Sequence, residues 1–192
     1  GGRIGGECLD VAFTKVLHIN MAQLTCTSMG LFESDAASCF DRIVMLLTFL
    51  SFKWMGVPQP ALKMWEQTLY HVHHELRTGY GDSEGPYSYS TDYPIIGPAQ
   101  GSKGGVVAIT VMSSILLRAL DKLGHGASFC DPAKSQDYHC KTRMFVDSTS
   151  NYMNDFRHWL QQPPGDEEVC FMLQQDAQIW ERLLWSSGGM TY

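Results

Sequence analysis

Met29-Gly-Leu-Phe-Glu-Ser-Asp35 is a short, largely apolar run that ends on a carboxylate, and residues 140–146 form a second such run that meets Asp147. Both read as β-strands, and residues 149–153 are placed to return from the second. If the two runs are neighbours in one sheet, Asp35 and Asp147 converge at the same edge. Two converged carboxylates repel each other unless a cation sits between them or one takes a proton. Magnesium suits such a place, because it is often held by one or two carboxylates together with substrate phosphates. Two such ions can activate an attacking hydroxyl and stabilise a leaving oxygen. Taken alone the pattern is weak, since aspartates at strand ends are commonly turn residues or helix caps.

Outward from these runs the chain alternates between helical and extended periodicity. Residues 9–24 are apolar at Val11, Val16, Ile19 and Leu24, which predicts a helix. Residues 40–55 predict one continuous helix with Asp41 near its start, stopped by Gly56 and Pro58. A further helix is predicted over 60–70, with Pro60 in its first turn. Between His71 and Pro94 the period changes to alternation around a turn-rich centre at 80–87, which predicts a hairpin. A glycine-rich loop at 97–105 leads into a predicted helix over 106–123 that ends at Gly124. Pro163-Pro164-Gly165 reads as a linker, and 166–185 as a helix with acidic residues in its first turn, ending at Gly188-Gly189. This order predicts an α+β domain, a small antiparallel sheet backed by helices.

Composition narrows the function classes. A chain of 192 residues with 44% hydrophobic residues can bury one core, and 18% charged residues argue against disorder. Its formal charge of −6 argues mildly against an autonomous nucleic-acid binder, because phosphate recognition rests on basic side chains. The six cysteines show no CxxC spacing, so they read as reduced intracellular thiols rather than as a disulfide framework. No signal peptide opens the chain and the longest apolar stretch, 43–50, is too short to span a bilayer. With its abrupt ends the chain reads as a fragment.

Three segments in order carry a family resemblance. Residues 33–44, with Asp35, then Phe40 and Asp41, resemble motif A of reverse transcriptases. Residues 97–104, built around Gln100-Gly101, resemble motif B, and Met144-Phe-Val-Asp-Ser148 resembles motif C. Residues 2–10, 76–81 and 176–189 are also similar to polymerases of non-LTR-type retroelements, so the resemblance spans nearly all of 1–192 as a single partial domain. It implies a polymerase palm with truncated fingers and no thumb, performing RNA-directed DNA synthesis. Asp35 and Asp147 would hold two Mg²⁺ (or Mn²⁺), with a backbone carbonyl of Phe32, Glu33 or Ala36 completing the shell, Ala36 first because it adjoins Asp35. Phe40 would lie under the sugar of an incoming dNTP and exclude a 2′-hydroxyl. Gln100 and Gly101 would contact nucleotide and template, and Lys103 a phosphate or the template. The implied partners are an RNA or DNA template-primer and dNTPs, in nucleus or cytoplasm, without a membrane; nothing in the sequence sets the oligomeric state.

The chain departs from the family pattern in places. The second aspartate of motif C is Ser148, which brings no charge to a dication site. Where the family pattern often continues Ser-Pro in motif B this chain has Gly105-Val106, and the basic fingers segment upstream and the elements beyond motif C are missing. These departures favour a second expectation, a catalytically inactive remnant or interaction module. A metal-dependent nuclease is a third, sharing the carboxylates without needing Gln100-Gly101. His71, His73 and His74 invite a zinc reading, with His71 and His73 on one strand face, as do Cys130, His139 and Cys140; packing or exposed roles fit their spacing better. No serine stands in a triad pattern.

Overall fold

The computed structural model describes residues 8–37, 39–88, 97–98, 103–130, 137–145, 148–154 and 166–189. In chain order these form α1 (Cys8–Leu24), β1 (Met29–Asp35), α2 (Cys39–Arg42), α3 (Met45–Trp54) and α4 (Gln59–Tyr70). Four two-residue strands follow, β2 (His73–His74), β3 (Arg77–Thr78), β4 (Gly81–Asp82) and β5 (Tyr87–Ser88). Then come α5 (Lys103–Leu123), β6 (Ala127–Cys130), β7 (Asp137–Cys140), β8 (Thr142–Phe145), β9 (Ser148–Asn154) and α6 (Asp166–Ser186). The expected α+β class, small antiparallel sheets with helices packed on them, is what these elements form.

The central sheet has the order β1–β9–β8, antiparallel throughout, with Met29 opposite Asn154 and Asp35 opposite Ser148. One face meets α5 and α6, because alternate residues of a strand share a face. Gly30 lies against Val169 and Leu173, and Met153 joins Val169 and Met172. Phe32 and Met144 pack against Leu116, Leu120 and the fully buried Trp180. On the opposite face, Met29, Leu31 and Tyr152 pack with Ala22 of α1 and with Phe129 and Cys140 of the β6–β7 hairpin. His18 of α1 is buried there, stacked on Phe129 and edge-on to Tyr152. The covering of this second face is therefore built at the Met29 end of the sheet.

Three expectations need correction, and one element is additional to them. Residues 40–55 do not make one helix: α2 ends at Arg42 and α3 starts at Met45. The backbone between them is used elsewhere, the Ile43 carbonyl accepting from the Gly97 N–H (3.0 Å) and the Val44 N–H donating to the Ser187 carbonyl (3.2 Å). The strand leading into Asp147 is not the neighbour of β1; its return strand, β9, lies between them. The β6–β7 hairpin was not expected at all. His71 is not in a strand with His73 but caps the C-terminus of α4, where its Nδ1 lies 2.6 Å from the Gln67 carbonyl.

The 71–94 hairpin is present as far as Ser88, with β2 paired to β5 and β3 to β4 around a turn at Gly79-Tyr80; 89–94 lie outside the described residues. Its end is held by a forked Arg77–Asp82 pair (2.7 and 3.1 Å). α1 carries Leu9, Phe13, Val16, Leu17 and Leu24 outward, so that helix is apolar on both sides.

Candidate functional site

Asp35 is the last residue of β1 and is exposed, directly opposite Ser148, the first residue of β9, which in turn faces Phe145 at the end of β8. Three strands therefore finish in one row, and only residues 146 and 147 separate β8 from β9. Asp147 itself lies outside the described residues. Asp35 makes no ion pair with any described residue, so its carboxylate is available.

Two residues before Asp35, and so on the same face, stands Glu33. Lys15 of α1 donates to its carboxylate, and Ser150, its partner across the sheet, donates at 3.3 Å. The Lys15 hydrogen bond holds the Glu33 carboxyl below its ordinary value, against a smaller opposing effect of burial. Lys15 thus neutralises one of two carboxylates that alternate along β1 and leaves the other, Asp35, alone. Lys15 and the Glu33 side chain were not singled out from the sequence; the i, i+2 spacing of Glu33 and Asp35 was the available signal.

Behind Asp35 the strand end is anchored from the helical face. Trp180 of α6 donates its indole N–H to the Ser34 hydroxyl at 3.0 Å. Ala36 and Ala37 are buried as the chain leaves β1. Phe40 is half-buried, its ring packed on a cluster of Ile43, Ile109 and Met112 that joins α2 to α5.

Gly97 touches this same helix. Gly97 has φ +75°, and a Cβ there would lie 2.1 Å from the Phe40 carbonyl oxygen and 2.7 Å from the Asp41 Cα. Only glycine allows this approach. Gln100 and Gly101 lie outside the described residues, while Lys103 is exposed as the first residue of α5. The glycines that follow have a packing reason: a Cβ at Gly104 would sit 3.1 Å from the Trp65 indole nitrogen, and Gly105 is buried.

Among the described residues no group of three or more His, Cys, Asp or Glu is gathered as a metal site. Of the expected metal ligands, Asp35 and Ala36 are described and Asp147 is not. Of the histidines, His74 stacks on Tyr87, and His139 Nδ1 lies 2.6 Å from the Ser128 hydroxyl. Cys140 belongs to the core. A buried carboxylate that sequence reasoning missed is Asp176 of α6. It accepts from the His125 backbone N–H (3.0 and 3.1 Å) and lies 2.9 Å from His125 Nδ1, tying the end of α5 to α6.

No protein-family model matches the chain, and a comparison with curated proteins gives no match. No described helix is long and apolar enough to cross a membrane.

Proposed function

We propose that the chain is the palm, with part of the fingers, of an RNA-directed DNA polymerase of the reverse-transcriptase type. The observation that carries this reading is the register of Asp35 opposite Ser148. Motif A and motif C are more than a hundred residues apart in sequence, yet they end in the same row of one sheet. A turn-forming or capping role for Asp35 requires no such meeting. The contact of Gly97 with Phe40 and Asp41 adds support, because it puts the opening of the motif B segment against the helix that follows Asp35.

In this reading Asp35, Asp147 and the Ala36 carbonyl would hold Mg²⁺, which when bound supplies Lewis-acid stabilisation for attack of a primer 3′-hydroxyl on a dNTP α-phosphate. The chain's own residues do the rest. Trp180 fixes the end of β1 through Ser34, so Asp35 projects from a rigid strand. Lys15 occupies Glu33 and keeps it from competing for the cation. Phe40, held by Ile43 and Ile109, would present a fixed ring edge to the nucleotide sugar. Lys103 opens a long helix, and the dipole at a helix N-terminus favours phosphate.

Ser148 supports a second reading, a non-catalytic remnant of the same fold, because the position opposite Asp35 carries a hydroxyl where the family pattern has a carboxylate. Mn²⁺ binding followed by electron paramagnetic resonance with a dNTP present tests the site, on the chain, Asp35→Asn and Ser148→Asp. The expected result is binding that needs Asp35 and tightens about tenfold or more in Ser148→Asp as a third carboxylate is added. Identical behaviour of all three proteins would overturn the metal site. Primer extension then separates the two readings: extension lost in Asp147→Asn supports the enzyme, and extension seen only with Ser148→Asp supports the remnant.

A further inference from the structure

We infer that the groove between α3, α5 and the end of α6 is a docking site for an acidic amphipathic helix from another protein. The groove encloses about 930 Å³. Its apolar lining includes Leu47, Leu50 and Trp54 from α3 and Met112 and Ile115 from α5. Leu50 is 53% exposed and Trp54 75%, and exposed apolar surface that is contiguous marks an interaction site.

What remains polar in the groove says which occupant fits. Three serines line it, and all three hydroxyls are already committed to their own helix backbone: Ser51 donates to the Leu47 carbonyl, Ser186 to Leu183 and Ser187 to Leu184. The other polar groups are two cations, Arg118 and Lys122, one turn apart on α5. Neither makes an ion pair among the described residues. The nearest acid in sequence, Asp121, is directed to Lys141 at 4.0 Å.

An apolar trough edged by two unneutralised cations at i, i+4 spacing complements a helix with apolar residues at i, i+3, i+4 and i+7 and carboxylates one turn apart along one edge. The concavity favours a rod over a flat lipid surface. The rim charges select the partner and its direction, while the trough supplies the burial. The site is independent of the Asp35 end of the sheet, so it stands whether or not the polymerase reading does.

The test is calorimetric titration of the full chain with two tryptophan-free helical peptides that share one apolar face, one edged with Glu at i, i+4 and the other with Lys. The Glu peptide is expected to bind at least tenfold tighter, with a blue shift in tryptophan emission that is absent in Trp54→Phe. In the double variant Arg118→Glu/Lys122→Glu the preference is expected to invert, which a merely misfolded protein would not do. Equal binding of the two peptides, or binding of neither, would overturn the proposal. So would self-association of the chain that Trp54→Glu abolishes, since the occupant would then be a second copy.

Discussion

Trp180 shows how much of a sheet edge one side chain can hold. It is fully buried, fills the space between β1 and α5, and its indole N–H is satisfied by Ser34. Trp180→Phe leaves the Ser34 hydroxyl without that donor and opens a small cavity, so it is expected to lower stability by about 1–3 kcal/mol. Urea unfolding measures this, and Trp185→Phe, at a position 63% exposed, is the control expected to stay within about 0.5 kcal/mol. The Lys15–Glu33 pair predicts a pH effect of known sign. The folded carboxyl titrates below its ordinary value near 4.5, so its contribution is complete above that pH and is lost as pH falls through the lower, folded value. Both side chains are partly exposed, which limits the effect to a few tenths of a kcal/mol, roughly. Lys15→Met is expected to flatten the acid limb of the urea midpoint against pH below 4.5 while leaving its neutral slope unchanged. Neither residue pair could be read from the sequence, because Ser34 and Trp180, like Lys15 and Glu33, meet only through the folded sheet.

At the scale of elements, what the sequence revealed and what it hid divide along local and non-local lines. The span of β1 and the extents of α1, α4 and α6 follow from periodicity, proline and glycine within each segment, and they agree with the observed ends to within a residue. The break at Ile43-Val44 was hidden because its cause lies at Gly97 and Ser187, far along the chain. The β6–β7 hairpin was hidden because its apolar residues, Ala127, Phe129 and Cys140, are spaced for a core that α1 and β9 complete. Sheet order was hidden for the same reason, and it changes the candidate site: the residue that faces Asp35 is Ser148, the first of the return strand. The contact of Gly97 with Phe40 and Asp41 gives a prediction at this scale. Gly97→Ala forces a Cβ into the Phe40 carbonyl at a positive φ and is expected to cost about 2 kcal/mol or more. Gly79→Ala, where a Cβ meets nothing within 4 Å, is expected to change the urea midpoint little.

Across the whole molecule, the central sheet has two unequal faces. The helical face is closed by α5 and α6 along its length, whereas the other is covered toward Met29 by α1 and the β6–β7 hairpin and ends at exposed Asp35. That asymmetry leaves Asp35 uncovered among the described residues. The β3–β4 hairpin is different again. Its tip residue Tyr80 is fully exposed, and its forked Arg77–Asp82 pair is internal to the hairpin. New coding sequence inserted between Gly79 and Tyr80 would lengthen a loop whose ends are already clamped, at a loop-closure penalty of about 0.6 kcal/mol for each doubling of length. An epitope tag spliced there is expected to leave the melting temperature of the rest of the chain nearly unchanged and to be the first place a protease cuts. The hairpin is thus where a lineage of such chains can gain or lose length, or an engineer can attach a handle, without renegotiating the core.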